Sequence, residues 1–340
     1  MMKKIKFILT LLAVTALFLQ SCRNDDEGPD SIPPRDRGEE AVTGTLEIEE
    51  YLETHFYNYE DFQSPAADFD YRIQFDTIAG DNAGKTPLME QVDFKTVQDR
   101  TDEDVTYKLY FLKAIEGDGN EVQFPDILDI SFEGRFVSDE VFDNSDIPTR
   151  LDLTSVINGF QDGLAEFKGA TTTIVNPDGT VDFEGFGVGA VFVPSGLGYF
   201  ATPPPPQTTG GGATLIGLYQ QLIFTFQVYN VIKGDQDGDG IPSVFEDRNN
   251  NQVEEDDDFD EDFNADFRDD DDDNDGRLTI NETTQNTYTL NEGDPEPVLA
   301  ADEVEVYRVK DFLNDTVVIT TLVMPDTDAD GKPDYLDEDN

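Results

Sequence analysis

Residues 155–167 read SVINGFQDGLAEF, and this stretch predicts the single helix of a central domain. Its apolar residues recur at helical spacing on one broad face, and Ser155 is a suitable N-cap. Gly159 and Gly163, four residues apart, lie on one side of such a helix. Glycine lowers helix propensity but removes side-chain bulk, so the helix is expected to lie close against a sheet.

The sequence around this helix, from residue 126 to residue 231, alternates short strand patterns and predicts an α+β domain. Upstream, Tyr107, Leu109 and Phe111 alternate with polar neighbours as in a strand. Two insertions follow the helix: a hairpin in 173–185, TIVNPDGTVDFEG, and a proline- and glycine-rich loop in 202–212, TPPPPQTTGGG.

Five motifs occur in one order: DISFEGRF at 129–136, VFDNS at 141–145, VINGFQDGL at 156–164, VPSGLGYF at 193–200 and LIFTFQVYNV at 222–231. In this order they resemble the FKBP-type peptidyl-prolyl cis-trans isomerases. The resemblance implies an antiparallel sheet wrapped around one helix, with a prolyl pocket between them. By position it implies catalytic roles for Asp143, Tyr199 and Phe160. It also implies a substrate-binding wall made by Phe132, Phe142, Leu151, Val156, Ile157, Ile216 and Phe224.

Several positions depart from the family pattern. The pocket floor is Phe160 where the family has Trp, and Phe132, Leu151 and Phe200 replace a Tyr, a Phe and a Gly. The changes keep the pocket apolar but remove a donor or apolar area. Asp143 and Tyr199 favour an isomerase, which needs no cofactor for catalysis. The altered walls and the overhanging loop favour a catalytically weak chaperone or peptide-binding module.

Three acidic segments after residue 234 fit the pattern of calcium-binding loops: DQDGDGIPSVFE, DDDNDGRLTINE and DTDADGKPDYLD. Carboxylates at positions 1, 3, 5 and 12 supply the oxygens that Ca²⁺ prefers, and glycine at position 6 allows the turn. The predicted metal ligands are Asp235, Asp237, Asp239 and Glu246; Asp271, Asp273, Asp275 and Glu282; and Asp326, Asp328, Asp330 and Asp337.

The rest of the acidic region is less specific. The run EEDDDFDEDF at 254–263 and the Asp run before Asp273 are expected to be solvated. Long amphipathic helices are missing beside the loops, so they resemble thrombospondin type-3 repeats more than paired EF-hands. Between the second and third loops, NTYTL, VEVYRV and TVVITTLV predict some sheet. Residues 234–340 are therefore expected to be a structural calcium-binding region.

Residues 1–21 have the basic and apolar order of a secretory signal, and LQSC at 19–22 resembles a lipoprotein cleavage box. Cys22, the only cysteine, is the predicted lipidation site. The acidic stretch after it resembles the surface-export tag of lipoproteins in Bacteroidetes-like bacteria. These features predict an outer-membrane lipoprotein on the periplasmic or cell-surface face. An ordinary secretory signal that happens to contain a cysteine is the alternative.

The remaining segments complete the predicted organisation. Residues 22–41 are expected to be a flexible tether. Residues 42–100 are expected to form an extension with a helix starting at Thr45 and a strand through Tyr71, Ile73 and Phe75. The isomerase domain is placed at 101–233 and the acidic region at 234–340.

Charge limits the partners. The formal net charge is −53, and residues 235–340 carry 36 acidic and 6 basic side chains, a net of −30. Because phosphate contacts need the opposite sign, the chain is not expected to bind nucleic acid. The predicted partners are proline-containing polypeptide clients and a membrane, through the lipid on Cys22. The sequence leaves the oligomeric state open. A third possibility is a calcium-stabilised surface protein that uses the central domain as a scaffold.

Overall fold

A six-stranded antiparallel sheet, in the order β3-β4-β9-β12-β5-β6, forms the centre of the molecule. The computed structural model describes residues 33–205, 207–209 and 212–339, without the side chains of residues 207–209 and 212–214. The strands are β3 (Asp93–Gln98), β4 (Thr106–Ile115), β5 (Ile127–Phe136), β6 (Val141–Asp152), β9 (Gly187–Val193) and β12 (Leu222–Ile232). The alternation of Tyr107, Leu109 and Phe111 correctly predicted β4.

Both faces of this sheet are buried. Every residue of the central strand β9 is buried. On β4, Leu109 and Phe111 point into one core, whereas Tyr110 and Leu112 point into another. Because successive side chains of a strand project to opposite faces, each core needs its own cover. The molecule therefore has three layers in this region.

The first face is covered by a short helix, α3 (Asn158–Leu164). It is shorter than the predicted 155–167, and Ser155 does not cap it. Residues Leu153–Ser155 form a 3₁₀ turn instead, in which the Asp152 side chain accepts a hydrogen bond from the Thr154 amide. The early turn ends before Ile157, whose extended backbone precedes the helix.

The second face is covered by an N-terminal helix, α1 (Arg37–Thr54), that the prediction of a sheet around one helix did not include. Ile48, Tyr51 and Leu52 are buried against the sheet. Burying an apolar side chain of this size is worth about 1.5–3 kcal/mol. The predicted helix start at Thr45 was wrong: Asp36 caps the helix by accepting a hydrogen bond from the Glu39 amide, so residues 37–41 of the predicted tether are helical.

Short elements follow α1 on the same side. They are β1 (His55–Tyr57), α2 (Tyr59–Gln63) and β2 (Phe75–Thr77), with β1 and β2 paired antiparallel. Of the predicted strand residues, only Phe75 lies in a strand. Tyr71 has a positive φ of 57°, which breaks the extended backbone, although Ile73 and Phe75 still pack on the second core.

Both predicted insertions form hairpins. The first consists of β7 (Thr172–Val175) and β8 (Val181–Glu184), with Gly179 in the left-handed region at φ 87°. The second consists of β10 (Gln207–Thr209) and β11 (Gly212–Thr214). The sequence predicted the first as a hairpin and the second only as a loop.

After residue 234, short 3₁₀ turns alternate with acidic loops, and a three-stranded antiparallel sheet follows in the order β13-β15-β14. Its strands are β13 (Thr284–Leu290), β14 (Glu303–Asp311) and β15 (Thr316–Val323), as the strand-like stretches predicted.

The acidic region contacts the central sheet domain at several points. The side-chain amide of Gln236 donates to the Pro125 carbonyl at 3.0 Å. The backbone amide of Lys310 donates to the side-chain oxygen of Asn120 at 3.0 Å. Arg100 donates both to the Asn158 side chain and to the Gln252 carbonyl. Arg100 therefore links the start of α3 to the acidic region.

Candidate functional site

The predicted pocket begins with aromatic rings from β5, β6, α3 and β12. Phe160 stacks on Phe224 with ring centroids 4.4 Å apart and an interplanar angle of 19°. Phe142 meets Phe224 edge-on at 5.6 Å, and Phe132 lies 6.3 Å from Phe160. Offset-stacked and edge-on pairs are the favourable geometries for aromatic rings. Four predicted residues, far apart in sequence, thus form one aromatic group.

The other apolar residues predicted for the pocket pack on the same core. Ile216 is buried, whereas the remainder are half-buried and form the rim; these are Leu151, Val156, Ile157 and Tyr199. Phe160 and Phe224 are only 3% and 5% exposed. The structure therefore has a covered aromatic floor and a partly open apolar rim.

Two glycines place α3 against the sheet. A Cβ on Gly159 would lie 2.4 Å from Val193 Cγ1, and one on Gly163 would lie 2.3 Å from Val191 Cγ2. Real side chains do not approach this closely, so any larger residue would push the helix away from β9. The predicted close approach is confirmed, and it brings Phe160 over the sheet.

The polar groups of the site are Asp143 on β6 and Tyr199 in the loop after β9. Burial first, and then the negative charge of Asp143, raise the pKa of Tyr199 above its usual range. The hydroxyl therefore stays protonated at neutral pH and can act as a donor. Within the described part of the chain it has no hydrogen-bond partner.

Phe200, next to Tyr199, occupies the position where the family pattern has glycine. Its φ is +47°, in the left-handed region that costs a non-glycine residue about 1–2 kcal/mol. The ring is held from two sides: the Arg37 guanidinium lies 4.3 Å from its centroid, and the Tyr219 ring meets it at 5.1 Å. These contacts offset the backbone cost.

A buried ion pair that the sequence did not reveal supports this loop. Arg37 Nε lies 2.5 Å from the Asp99 carboxylate, and Tyr107 donates its hydroxyl to the same oxygen at 2.8 Å. Arg37 also donates to the Gly196 carbonyl at 3.0 Å. The pair thus joins α1 to the loop that carries Tyr199. No local spacing signals it, because the partners come from separate segments.

Asp99 is held as a carboxylate. Burial alone would raise its pKa, but hydrogen bonds from Arg37, the Thr101 amide, Tyr107 and the Asp102 amide lower the pKa below its usual value. The two amides lie 2.7 and 3.0 Å from the carboxylate oxygen. Such a fully satisfied buried charge fixes the local geometry.

The three predicted acidic loops each bring carboxylate oxygens together. In each, the first, third and fifth positions offer oxygens within 4.8 Å of one another. Gly240, Gly276 and Gly331 have φ values of 94°, 94° and 102°. These values are the left-handed turn that position 6 was predicted to need. The position-12 residues Glu246, Glu282 and Asp337 are all buried.

Several carboxyl groups of these loops have a raised pKa. Burial and the neighbouring negative charges raise the pKa of Asp237 to about 7 and that of Asp239 to about 8. Burial and the charge of Asp273 raise the pKa of Glu282 to about 7. A bound divalent cation reverses this effect, because its charge favours the ionised ligands. The arrangement is therefore suited to hard cations.

The acidic run 254–263 is only partly solvated. Glu254 and Asp257 are 1% and 6% exposed. Within the same stretch, Asp258, Asp260 and Asp262 form a further group of oxygens within 4.8 Å, and Phe263 takes a φ of 78° where the predicted loops have glycine. The alternating spacing of these aspartates could have revealed the group in the sequence. It was missed because the calcium-loop pattern requires glycine at position 6, where this stretch has Phe263.

The predicted lipidation site, Cys22, and the signal segment lie outside the described residues. Among the described residues, no helix combines the length and apolar character needed to cross a bilayer.

No protein-family model matches this sequence, and no curated protein matches it. Among solved structures, the chain is similar to a peptidyl-prolyl cis-trans isomerase from Pseudomonas syringae pv. tomato, with 18% identity, 37% of this chain and 76% of that chain covered, and a TM-score of 0.29. It is similar to FkpA from Escherichia coli, with 16% identity, 57% and 62% coverage and a TM-score of 0.29. It is also similar to AtFKBP13, with 20% identity, 40% and 98% coverage and a TM-score of 0.26. Because every TM-score is below 0.5, none of these proteins defines the activity of this chain.

Proposed function

We propose that this chain is an FKBP-type peptidyl-prolyl cis-trans isomerase that assists the folding of exported proteins. The observation that carries the proposal is the assembly of the predicted pocket residues into one aromatic floor and apolar rim. The proposed clients are polypeptides that contain proline. A lipid on Cys22 would anchor the protein to the outer membrane, on its periplasmic or cell-surface face.

The chemistry suits such a pocket. Rotation about an X-Pro bond must overcome amide resonance, a barrier of about 18–20 kcal/mol, without making or breaking a bond. The rim can hold the proline ring away from water, and the Tyr199 hydroxyl can donate to a substrate carbonyl. These contacts lower the barrier only if they favour the twisted amide over the planar one. Asp143 would polarise the rim beside Tyr199.

Tyr199→Phe and Asp143→Ala are each expected to lower kcat/KM for isomerisation of a proline peptide. Loss of one hydrogen bond in the transition state costs about 1–3 kcal/mol, or roughly 5- to 150-fold in rate. The measurement is a protease-coupled or NMR exchange assay over peptides that differ before proline. The full chain is the appropriate material, because residues 101–233 alone would lack α1 and expose the second core.

The control variants are Tyr307→Phe, in the acidic region, and Asp93→Ala, exposed on β3. Both should retain the wild-type rate. A folded wild-type chain with no activity on any peptide would exclude the isomerase and leave a binding function.

The alternative is a catalytically weak chaperone or peptide-binding module. The observation that favours it is the stacking of Phe160 on Phe224, both almost fully buried, which fills the floor with the protein's own rings. Such a surface would bind unfolded chains at the rim. Suppression of client aggregation without faster isomerisation is the result that would distinguish it.

We further propose that the three acidic loops bind Ca²⁺ and that the region after residue 234 serves as a calcium-stabilised spacer or contact surface. The clustered carboxylates and the left-handed glycines support this role. If isomerase activity and suppression of client aggregation are both absent, a calcium-stabilised surface protein becomes the better description of the chain.

Cys22→Ser is expected to abolish incorporation of labelled fatty acid and to release the protein from the membrane fraction. The thiol is the only group in the chain that this anchor can use, since the sequence contains one cysteine. Gln20→Asn, two residues earlier, is the control and should leave labelling intact. Continued labelling of Cys22→Ser would contradict the assignment.

A further inference from the structure

Three buried carboxylates meet between the first and second acidic loops. Asp239 and Glu246 belong to the first loop, and Asp272 belongs to the second. They are 1%, 4% and 3% exposed. One oxygen from each lies within 4.8 Å of the other two. This group shares Asp239 with the cluster at positions 1, 3 and 5 of the first loop and differs from it by Glu246 and Asp272.

Asp272 was not expected to bind a metal. It stands at position 2 of its own loop, whereas the loop pattern draws its ligands from positions 1, 3, 5, 7 and 12. One of its carboxylate oxygens lies within 4.8 Å of oxygens of Asp239 and Glu246 in the first loop. Its carboxylate therefore faces the first loop, away from the cluster formed by the alternate residues of the second.

Four oxygens of this group have no hydrogen-bond partner among the described residues. Both oxygens of Glu246, Oδ2 of Asp239 and Oδ1 of Asp272 are buried without a hydrogen bond. Burying unpaired carboxylates next to one another is costly unless a positive charge compensates them. The nearby cation Arg248 is already engaged, 2.9 Å from Asp266 and 3.9 Å from Asp257.

We propose that Asp239, Glu246 and Asp272 together bind a divalent cation, Ca²⁺ by its ligand chemistry, that joins the first and second loops. Ca²⁺ binds oxygens at about 2.3–2.6 Å, so two ligands of one ion lie no more than about 5 Å apart. The group satisfies this limit without rearrangement. The inference rests on the proposed calcium binding of the loops: the shared ion takes Asp239 and Glu246 from the first loop, adds Asp272 as a ligand, and closes residues 247–271 into one segment.

Tyr335 provides a probe of this site. Its ring is close enough for the charges of Asp272 and Glu246 to act on it. Tb³⁺ occupies Ca²⁺ sites and emits light when a nearby tyrosine is excited, and the chain contains no tryptophan to interfere. Tyr335 also belongs to the third loop, so the Tb³⁺ emission that is lost in Tyr335→Phe reports on the shared site together with the third-loop site in the full chain.

Asp272→Asn is expected to weaken Tb³⁺ binding at this site about tenfold or more, the equivalent of about 1.4 kcal/mol. It should lower the emission that depends on Tyr335, leave the part that comes from the third loop, and lower the number of Ca²⁺ ions bound in calorimetry by one. Asp270→Asn removes the same charge from an exposed position of the same acidic run and should change neither quantity.

The outcomes separate the two proposals. If the full chain binds neither Tb³⁺ nor Ca²⁺, both the loop sites and the shared site are excluded. If ions bind but Asp272→Asn leaves the stoichiometry and the Tyr335 emission unchanged, the loops stand and the shared site is wrong. A purely structural role for Asp272 is tested in chelator. There Asp272→Asn should raise stability, because it removes a buried charge, and a loss of stability in chelator would contradict the proposal.

Discussion

Asp99→Ala is expected to lower the free energy of unfolding by about 3–5 kcal/mol, the usual cost of breaking a buried ion pair. The substitution removes the acceptor for Arg37 and Tyr107 and leaves both groups without it in a buried region. It also strips two amide donors of their acceptor. Urea unfolding of the full chain at neutral pH, followed by circular dichroism, measures the change.

The pH dependence identifies the charge as the cause. Because the folded pKa of Asp99 lies below the ordinary value of 3.8, its contribution is fully present above that value. It is lost as the pH falls through the lower folded pKa. The stability difference between wild type and Asp99→Asn should therefore shrink towards pH 3. Asp104→Ala, at an exposed position, should change stability by less than about 0.5 kcal/mol. An equal difference at pH 7 and pH 3 would exclude an electrostatic origin.

Removal of Ca²⁺ is expected to destabilise the region after residue 234 by about 2–5 kcal/mol. The figure assumes three independent loops with dissociation constants of roughly 10⁻⁴–10⁻³ M, the range of extracellular modules, at about 2 mM Ca²⁺. The physical reason is the net charge of −30 in residues 235–340, which repels itself when no cation is bound. Hydrogen exchange read by mass spectrometry should show faster exchange across residues 235–339 in chelator.

Asp330→Asn, which removes a proposed ligand, should reproduce part of this loss in the presence of Ca²⁺. Asp302→Asn, at an exposed site outside the loops, should not. Exchange that is unaffected by chelator would refute calcium binding by the loops.

Isomerase activity is expected to persist in chelator, because every proposed ligand lies beyond residue 234. Arg100 is the residue through which the acidic region could influence the proposed active site, because it donates both to the Asn158 side chain on α3 and to the Gln252 carbonyl. If chelator lowers turnover but Arg100→Ala does not, the acidic region and the proposed active site are coupled through contacts other than Arg100.

The sequence predicted β4 of the central sheet and the contacts among the aromatic residues of the proposed pocket, whereas VFDNS, interpreted as a turn, lies in strand β6. Alternation of apolar residues is a direct signal of a strand with a buried face, which is why β4 was found. The ordered motifs brought Phe132, Phe160 and Phe224 together correctly. The close contact of α3 with β9 followed from Gly159 and Gly163.

The failures have physical causes. The start of a helix depends on which nearby residue caps it. Asp36 caps α1 well before Thr45, and Asp152 caps a 3₁₀ turn that contains Ser155, so both predicted helix starts were wrong. The Arg37–Asp99 pair depends on tertiary contact alone. The buried acidic group around Asp272 could not be predicted, because an aspartate in a charged run usually faces water.

The position of α1 also sets an order of folding. A polypeptide emerges with its N-terminal end first, so this helix is available long before the strands that cover it. The apolar face of α1 around Leu52 can be buried only after Phe192 on β9 and Ile223 on β12 have been added to the chain and have folded. Contacts between such distant residues close slowly, because a long loop must be ordered first. The nascent chain therefore carries an exposed apolar helix until the sheet is nearly complete, and this interval is when the protein itself most needs protection from aggregation.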